Sequence, residues 1–249
     1  MTEVVADLQA GVLRLSRPAL AALATLTGAS TAAAEPPADS TLVALQSAGL
    51  LGPAGLHPVM VPIAAAVADP LVELRFDLLG PGTPVECPGW ISPDVAVLAI
   101  PGPDGLDEIV VVHTSFLPAR LAALIGLGPR PAARLPAGSL RADIGLLEAL
   151  LSGLVSSAED VRRHVGPAVP EALVDAAVAI SRGIRLHWRA TTMWGDPARP
   201  SLRTHEVVES RAGTFWVVER IFAGTELSPI TPTGLWRLLI GLLPSDDEL

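Results

Sequence analysis

The chain repeats itself. Ile125-Gly126-Leu127-Gly128-Pro129 and Ile240-Gly241-Leu242-Leu243-Pro244 each close a helical stretch, and they lie 115 residues apart. The same shift lays Leu71-Val72-Glu73-Leu74-Arg75-Phe76 on Leu186-His187-Trp188-Arg189-Ala190-Thr191, two segments that both read as strands. A tandem duplication constrains the architecture more tightly than any single motif, because each copy is one supersecondary unit with its own apolar face to bury.

Local signals fill in each copy. Ser16 and Pro18 suit the start of a helix running to about Thr27. The Ala/Pro/Ser-rich stretch Ala29 to Ser40 reads as a loop, Ser40 or Thr41 caps a second helix to Ala48, and Leu56-His57-Pro58 opens a third to Ala68. Strands are expected over Leu71–Leu78, Val85–Ile91 (interrupted by Pro88-Gly89), Val95–Ile100 and Ile109–His113, before a helix carrying Leu117, Leu121 and Leu124. The Gly/Pro-rich stretch Gly126 to Gly138 separates the copies. The second copy reads as helices over Ile144–Leu154, Ala158–His164 and Glu171–Ser181, strands over Ile184–Thr192, Arg203–Glu209 and Thr214–Phe222, and a last helix capped by Thr231-Pro232. The acidic tail Ser245 to Glu248 reads as frayed. The expected fold is α+β: two pseudo-repeated ααα-βββ-α halves, about 1–129 and 130–249, sharing a central antiparallel sheet flanked by helices. Joining the two meanders edge to edge hides two strand edges, which favours one domain over 1–249.

Composition narrows the chemistry. The chain has no Lys, Asn or Tyr, so all 17 of its cations are Arg. That removes a Schiff-base lysine, a P-loop lysine and a tyrosine acid. A formal charge of −9 and a pI of about 5.0 argue against a nucleic-acid surface, which needs clustered cations. The single Cys87 forms no intrachain disulfide, as in a cytoplasmic protein. Mean hydropathy is high at +0.48, yet no uninterrupted apolar run approaches the ~20 residues of a membrane span. Arg14 and Arg17 before Ala19–Ala34 imitate a signal peptide, but Glu3, Asp7 and Pro18 favour an amphipathic helix.

No side-chain constellation announces catalysis. Cys87 lacks a family signature, the five histidines lack metal-ligand spacing, and Gly126-Leu127-Gly128 follows a helix where a dinucleotide fingerprint follows a strand. No catalytic residue, metal or cofactor is assigned. A cryptic enzyme site would draw on Cys87, or on His187 with Glu206. Strand alternation puts Leu186, Trp188 and Ala190 on one face and Arg185, His187 and Arg189 on the other. Trp188, Trp216 and Trp236 read as core. Trp90 and Trp194 sit at turn ends beside glycines and are the candidate partner-binding residues, since an exposed loop tryptophan is a common interface anchor.

Leu42 to Leu51, then Gly55-Leu56-His57-Pro58, then a helix into Val72-Glu73-Leu74-Arg75, resembles the N-terminal half of EspG-type proteins, the cytosolic chaperones of type VII (ESX) secretion. Gly213-Thr214-Phe215-Trp216-Val217-Val218, then Leu227-Ser228-Pro229-Ile230 and a closing helix, is similar to that family's ending. The resemblance implies two related halves around a central sheet, a helical PE–PPE heterodimer as client, no reaction, no cofactor, no nucleic acid and no membrane. The second reading is a ligand-binding or regulatory protein, with Leu42–Leu51 and Leu56-His57-Pro58 as a winged-helix-like N-terminal segment.

Overall fold

The computed structural model describes residues 3–27, 36–80, 84–128, 135–142, 144–166, 168–222, 224–245 and 247–249. Residues 29–35 of the expected Ala/Pro/Ser-rich loop, and residues 129–134 of the expected junction, lie outside them.

The first half opens with a hairpin of β1 (Val4–Asp7) and β2 (Val12–Leu15), followed by α1 (Arg17–Thr25), α2 (Asp39–Ser47), the short hairpin β3 (Leu51–Gly52) and β4 (Gly55–Leu56), and α3 (Met60–Ala68). A four-strand meander follows: β5 (Val72–Leu78), β6 (Val85–Ile91), β7 (Val95–Pro101) and β8 (Asp107–His113), closed by α4 (Leu117–Leu124). The second half runs β9 (Leu140–Ala142), α5 (Ile144–Leu151), α6 (Ala158–Val165), α7 (Glu171–Ser181), β10 (Ile184–Trp194), β11 (Ser201–Ser210), β12 (Phe215–Ile221), β13 (Gly224–Ile230) and α8 (Pro232–Ile240). The four strand segments read in the first half are β5 to β8, one more than the βββ summary allows, and the second meander adds β13 to the three strands read there.

Helix starts follow capping chemistry where a side chain supplies it. Ser16 Oγ accepts the Ala19 N–H at 3.2 Å, and Thr231 Oγ1 accepts the Gly234 N–H at 3.0 Å. The sequence reading of α2 is corrected: Asp39 lies in its first turn, and Ser40 and Thr41 lie inside it. The reading of α3 is corrected too. Leu56 is taken by pairing with Leu51, and His57 Nδ1 accepts the Val59 N–H, so the helix starts at Met60.

The main sheet has eleven strands in the order β1-β2-β8-β7-β6-β5-β10-β11-β12-β13-β9, all antiparallel. From β2 to β9 that order is a palindrome about the β5–β10 seam, the pattern of a pseudo-twofold axis between the halves. At the seam Phe76 faces Ala190 and Arg75 faces Thr191. The 115-residue shift matches the starts of α4 and α8, Leu117 and Pro232, but not the strands. It would carry inward-facing Leu74 and Phe76 onto Arg189 and Thr191, which face the other way; a one-residue slip moves every side chain to the opposite face.

Three cores follow from the pleat. On one face α4 and α8 cover the middle of the sheet, with Phe76, Trp188, Val207, Leu121 and Leu239 in the interior. The Phe76 and Trp188 rings stack at 5.3 Å across the seam. On the opposite face, α1, α2 and α3 pack on β2, β7 and β8 around Leu15, Leu23, Met60 and Val97. There α5, α6 and α7 pack on the far strands around Leu150, Val174, Val208 and Trp216. Both bundles lie toward the ends of that face. Trp236, read as core, is 37 % exposed on α8 with Ile240 at 51 %, because the buried stripe of that helix is Leu235 and Leu239. The tail read as frayed is pinned among its described residues: Arg203 bonds the carbonyls of Gly241 and Leu243 and the Glu248 carboxylate.

Candidate functional site: the uncovered sheet face

Cross-strand register builds a surface between the two bundles. One row runs Val97, Trp90, Glu73, Met193, Leu202 across five strands. The next runs Pro88, Arg75, Thr191, Thr204, and the third Glu86, Asp77, Arg189, Glu206, Val218. Val97 belongs to one bundle's core, against which Trp90 also packs, and Val218 to the other's; the residues between Trp90 and Val218 form a floor outside both cores.

The floor is charged and internally paired. Glu206 is 4 % exposed, with Oε1 at 2.9 Å from His187 Nε2 and Oε2 accepting from Arg189 Nη2 at 2.9 Å and Nε at 3.1 Å. Arg220 Nη2 stands 3.7 Å from the same carboxylate. Burial alone would raise the Glu206 pKa; the His187 hydrogen bond and the Arg189 charge outweigh it and hold the carboxyl below its usual value of 4.5. Across the seam Arg75 Nε donates to Asp77 Oδ1 at 3.0 Å and also reaches Glu86. Thr191 and Thr204 hydroxyls meet at 3.1 Å. A network this connected rigidifies the strands, and each carboxylate oxygen of Glu206 already holds a donor.

Above the floor lies a groove of about 710 Å³, bordered by Arg189, Thr204, Glu206, Arg220 and Ile221. Two apolar side chains adjoin its lining residues along the chain, Leu202 before Thr204 and Phe222 after Ile221. Leu202 is 64 % exposed and Phe222, at the turn after β12, is fully exposed. Such a pair beside a polar floor is what a protein partner's apolar tip covers.

Trp90 is half-buried and borders this face, and also a second cavity with Arg17, Leu20, Thr41 and Val67. Trp194 lies on the other face of the sheet and is 7 % exposed. Its indole N–H donates to the Glu248 carbonyl at 3.0 Å, and the Arg203 guanidinium sits 5.2 Å from its ring centre. His187 and Glu206 are brought together as one pair, whereas Cys87 is buried, its thiol pushed up to about 11 chiefly by burial. Leu202 and Phe222 were missed in the sequence; an aromatic beside the Gly224 turn was the available signal. The winged-helix-like segment, Leu42–Leu51 with Leu56-His57-Pro58, contains no arginine to meet a phosphate backbone. Among the described residues no three His, Cys, Asp or Glu side chains converge as a metal site, and no helix is long and apolar enough to cross a membrane.

No family model matches the chain, and no curated protein matches it in sequence. Its fold is similar to a solved structure, that of the Mycobacterium tuberculosis type VII secretion system chaperone EspG5 in complex with a PE25–PPE41 dimer. The TM-score is 0.62 at 14 % identity, over 94 % of this chain and 97 % of that one. At that identity the likeness is one of fold: this chain carries the EspG-like arrangement of a large antiparallel sheet flanked by helices.

Proposed function

We propose that the chain is a chaperone-like binding protein that holds a helical client of PE–PPE type on the uncovered sheet face, in the cytoplasm, with no chemical step. The observation that carries the reading is a pair of exposed apolar side chains, Leu202 and Phe222, on the strands that border a groove of mixed polar and apolar lining in an EspG-like fold. A client whose helical tip is apolar gains by covering that pair, while the paired charges beneath need no rearrangement. Trp90 serves as a contact at the far border of the face. Trp194 acts indirectly, by fixing the C-terminal turn against β10 and β11. The chain works as one unit over residues 1–249, because the face is assembled from both halves.

Co-expression with PE–PPE pairs, starting with PE25–PPE41, tests the reading. A stable complex that Leu202→Asp or Phe222→Asp dissolves, with folding unchanged, supports it. Failure to recover any PE–PPE pair, or a complex indifferent to both substitutions, counts against it.

A further inference from the structure

The ladder between β11 and β12 stops early. It runs from Glu209↔Phe215 to Glu206↔Val218, although β11 continues to Ser201 and β12 to Ile221. On their outer sides both strands stay paired: Ser201 to His205 with β10, and Glu219 to Ile221 with β13. Their inner sides therefore face each other across the groove without a ladder. Alternate N–H and C=O groups of a strand point to each side, so this split presents strand-edge backbone in the interior of an eleven-stranded sheet. The last three residues of β12 are all exposed, as are Ser201, Leu202 and Thr204. Among the described residues no side chain hydrogen-bonds to the backbone of 201–205 or 219–221.

The other half shows what happens when such a split is filled. The β6–β7 ladder also stops early, at Gly89↔Leu98, although the strands run on to Val85 and Pro101. There Arg17, from the first turn of α1, donates to the Glu86 carbonyl at 3.3 Å and pairs with Asp107, the ladder partner of Pro101. The first split is thus bridged from within, and the pseudo-symmetric second one is open.

We infer that the β11–β12 split takes an extended main-chain segment of the client, about three residues long at ~3.3 Å per residue, which completes the interrupted ladder. This rests on the client-binding reading above and adds the chemistry of recognition. An extended segment offers donors and acceptors at strand spacing, which a helix, with its main chain bonded internally, does not. Leu202, on the unladdered part of β11, and Phe222, the residue after β12, are exposed and available to the segment's apolar side chains.

Amide hydrogen exchange on the full chain tests this with two probes: PE25–PPE41, and the extended pentapeptide Ac-Thr-Val-Thr-Val-Thr-NH2 at millimolar concentration. The amides of 202–205 and 219–221 that point into the split, not those bonded to β10 or β13, exchange fast in the free chain and slow by about tenfold or more with either probe bound. If PE25–PPE41 binds and these amides stay fast, the inference is overturned and the client reading survives. If the pentapeptide protects them and no PE–PPE pair binds, the split stands as a strand acceptor and the client reading falls. If neither probe protects them, or if they are already slow in the free chain, the split is not an acceptor.

Discussion

Glu206 holds the uncovered face together. Its carboxylate contacts His187, Arg189 and Arg220 together, and it lies 4 % exposed. Removing one member of a buried ion cluster leaves the others uncompensated, so Glu206→Ala should cost ~3–5 kcal/mol in a urea unfolding experiment. The pH dependence follows from three groups. His205 has its pKa lowered from 6.5, chiefly by burial and then by Arg203; Glu206 lies below 4.5; the Glu248 carboxyl is lowered to about 2 by hydrogen bonds from the Ser245 backbone N–H and Arg203. Each folded-state pKa is below its unfolded value, so each contribution is present above the unfolded value and is lost as pH falls through the folded one. Stability should start to decline below 6.5 as unfolded His205 protonates, and decline further from 4.5 toward about 2. Glu248→Gln should flatten the acid end of that curve in thermal melts at stepped pH; an unchanged curve would remove Glu248 from the account. Cys87, with its thiol at about 11, should react with a thiol reagent at neutral pH only when the chain unfolds.

At the scale of elements, β6 shows how local signals mislead. Pro88-Gly89 reads as an interruption, yet the strand runs through. Pro88 falls where the ladder to β7 has already stopped, and Gly89 lets Leu98 pack where a side chain would stand: a Cβ at Gly89 would lie 2.8 Å from Leu98 Cδ2 and 3.3 Å from Leu74 Cβ. Gly89→Ala should therefore destabilise by ~1–3 kcal/mol through overpacking, measured by denaturant midpoint. The caps of α1 and α8 were legible because Ser16-Arg17-Pro18 and Thr231-Pro232 carry their own hydrogen-bond chemistry. Strands β1 and β9, of four and three residues, were not, because so short a segment becomes a strand only through the neighbour it pairs with. The C-terminal clasp was illegible for the same reason. Arg203 meets Gly241, Leu243 and Glu248 from some forty residues away, so nothing in the acidic tail itself signals that it is held. The face followed the same division: alternation separated His187 and Arg189 from Trp188, while the groove required the relative register of β11 and β12.

For the whole molecule, the palindromic strand order makes the β5–β10 seam the joint between halves. Phe76, Trp188 and Ala190 sit there under α4 and α8, so neither half buries its seam strand alone. Residues 1–129 and 130–249 expressed separately should fail to fold. The full chain should unfold in one calorimetric transition, with van't Hoff and calorimetric enthalpies in agreement. Two resolved transitions would mean that the seam is only a contact between independent units.

The reading of the uncovered face turns on one comparison: titration calorimetry of PE25–PPE41 into the unsubstituted chain and into the Leu202→Asp/Phe222→Asp variant. The account expects a measurable complex with the first, a Kd weaker by ~100-fold (~2.7 kcal/mol) with the second, and unchanged melting temperatures. Equal affinity for the two chains would place the client elsewhere and contradict the account.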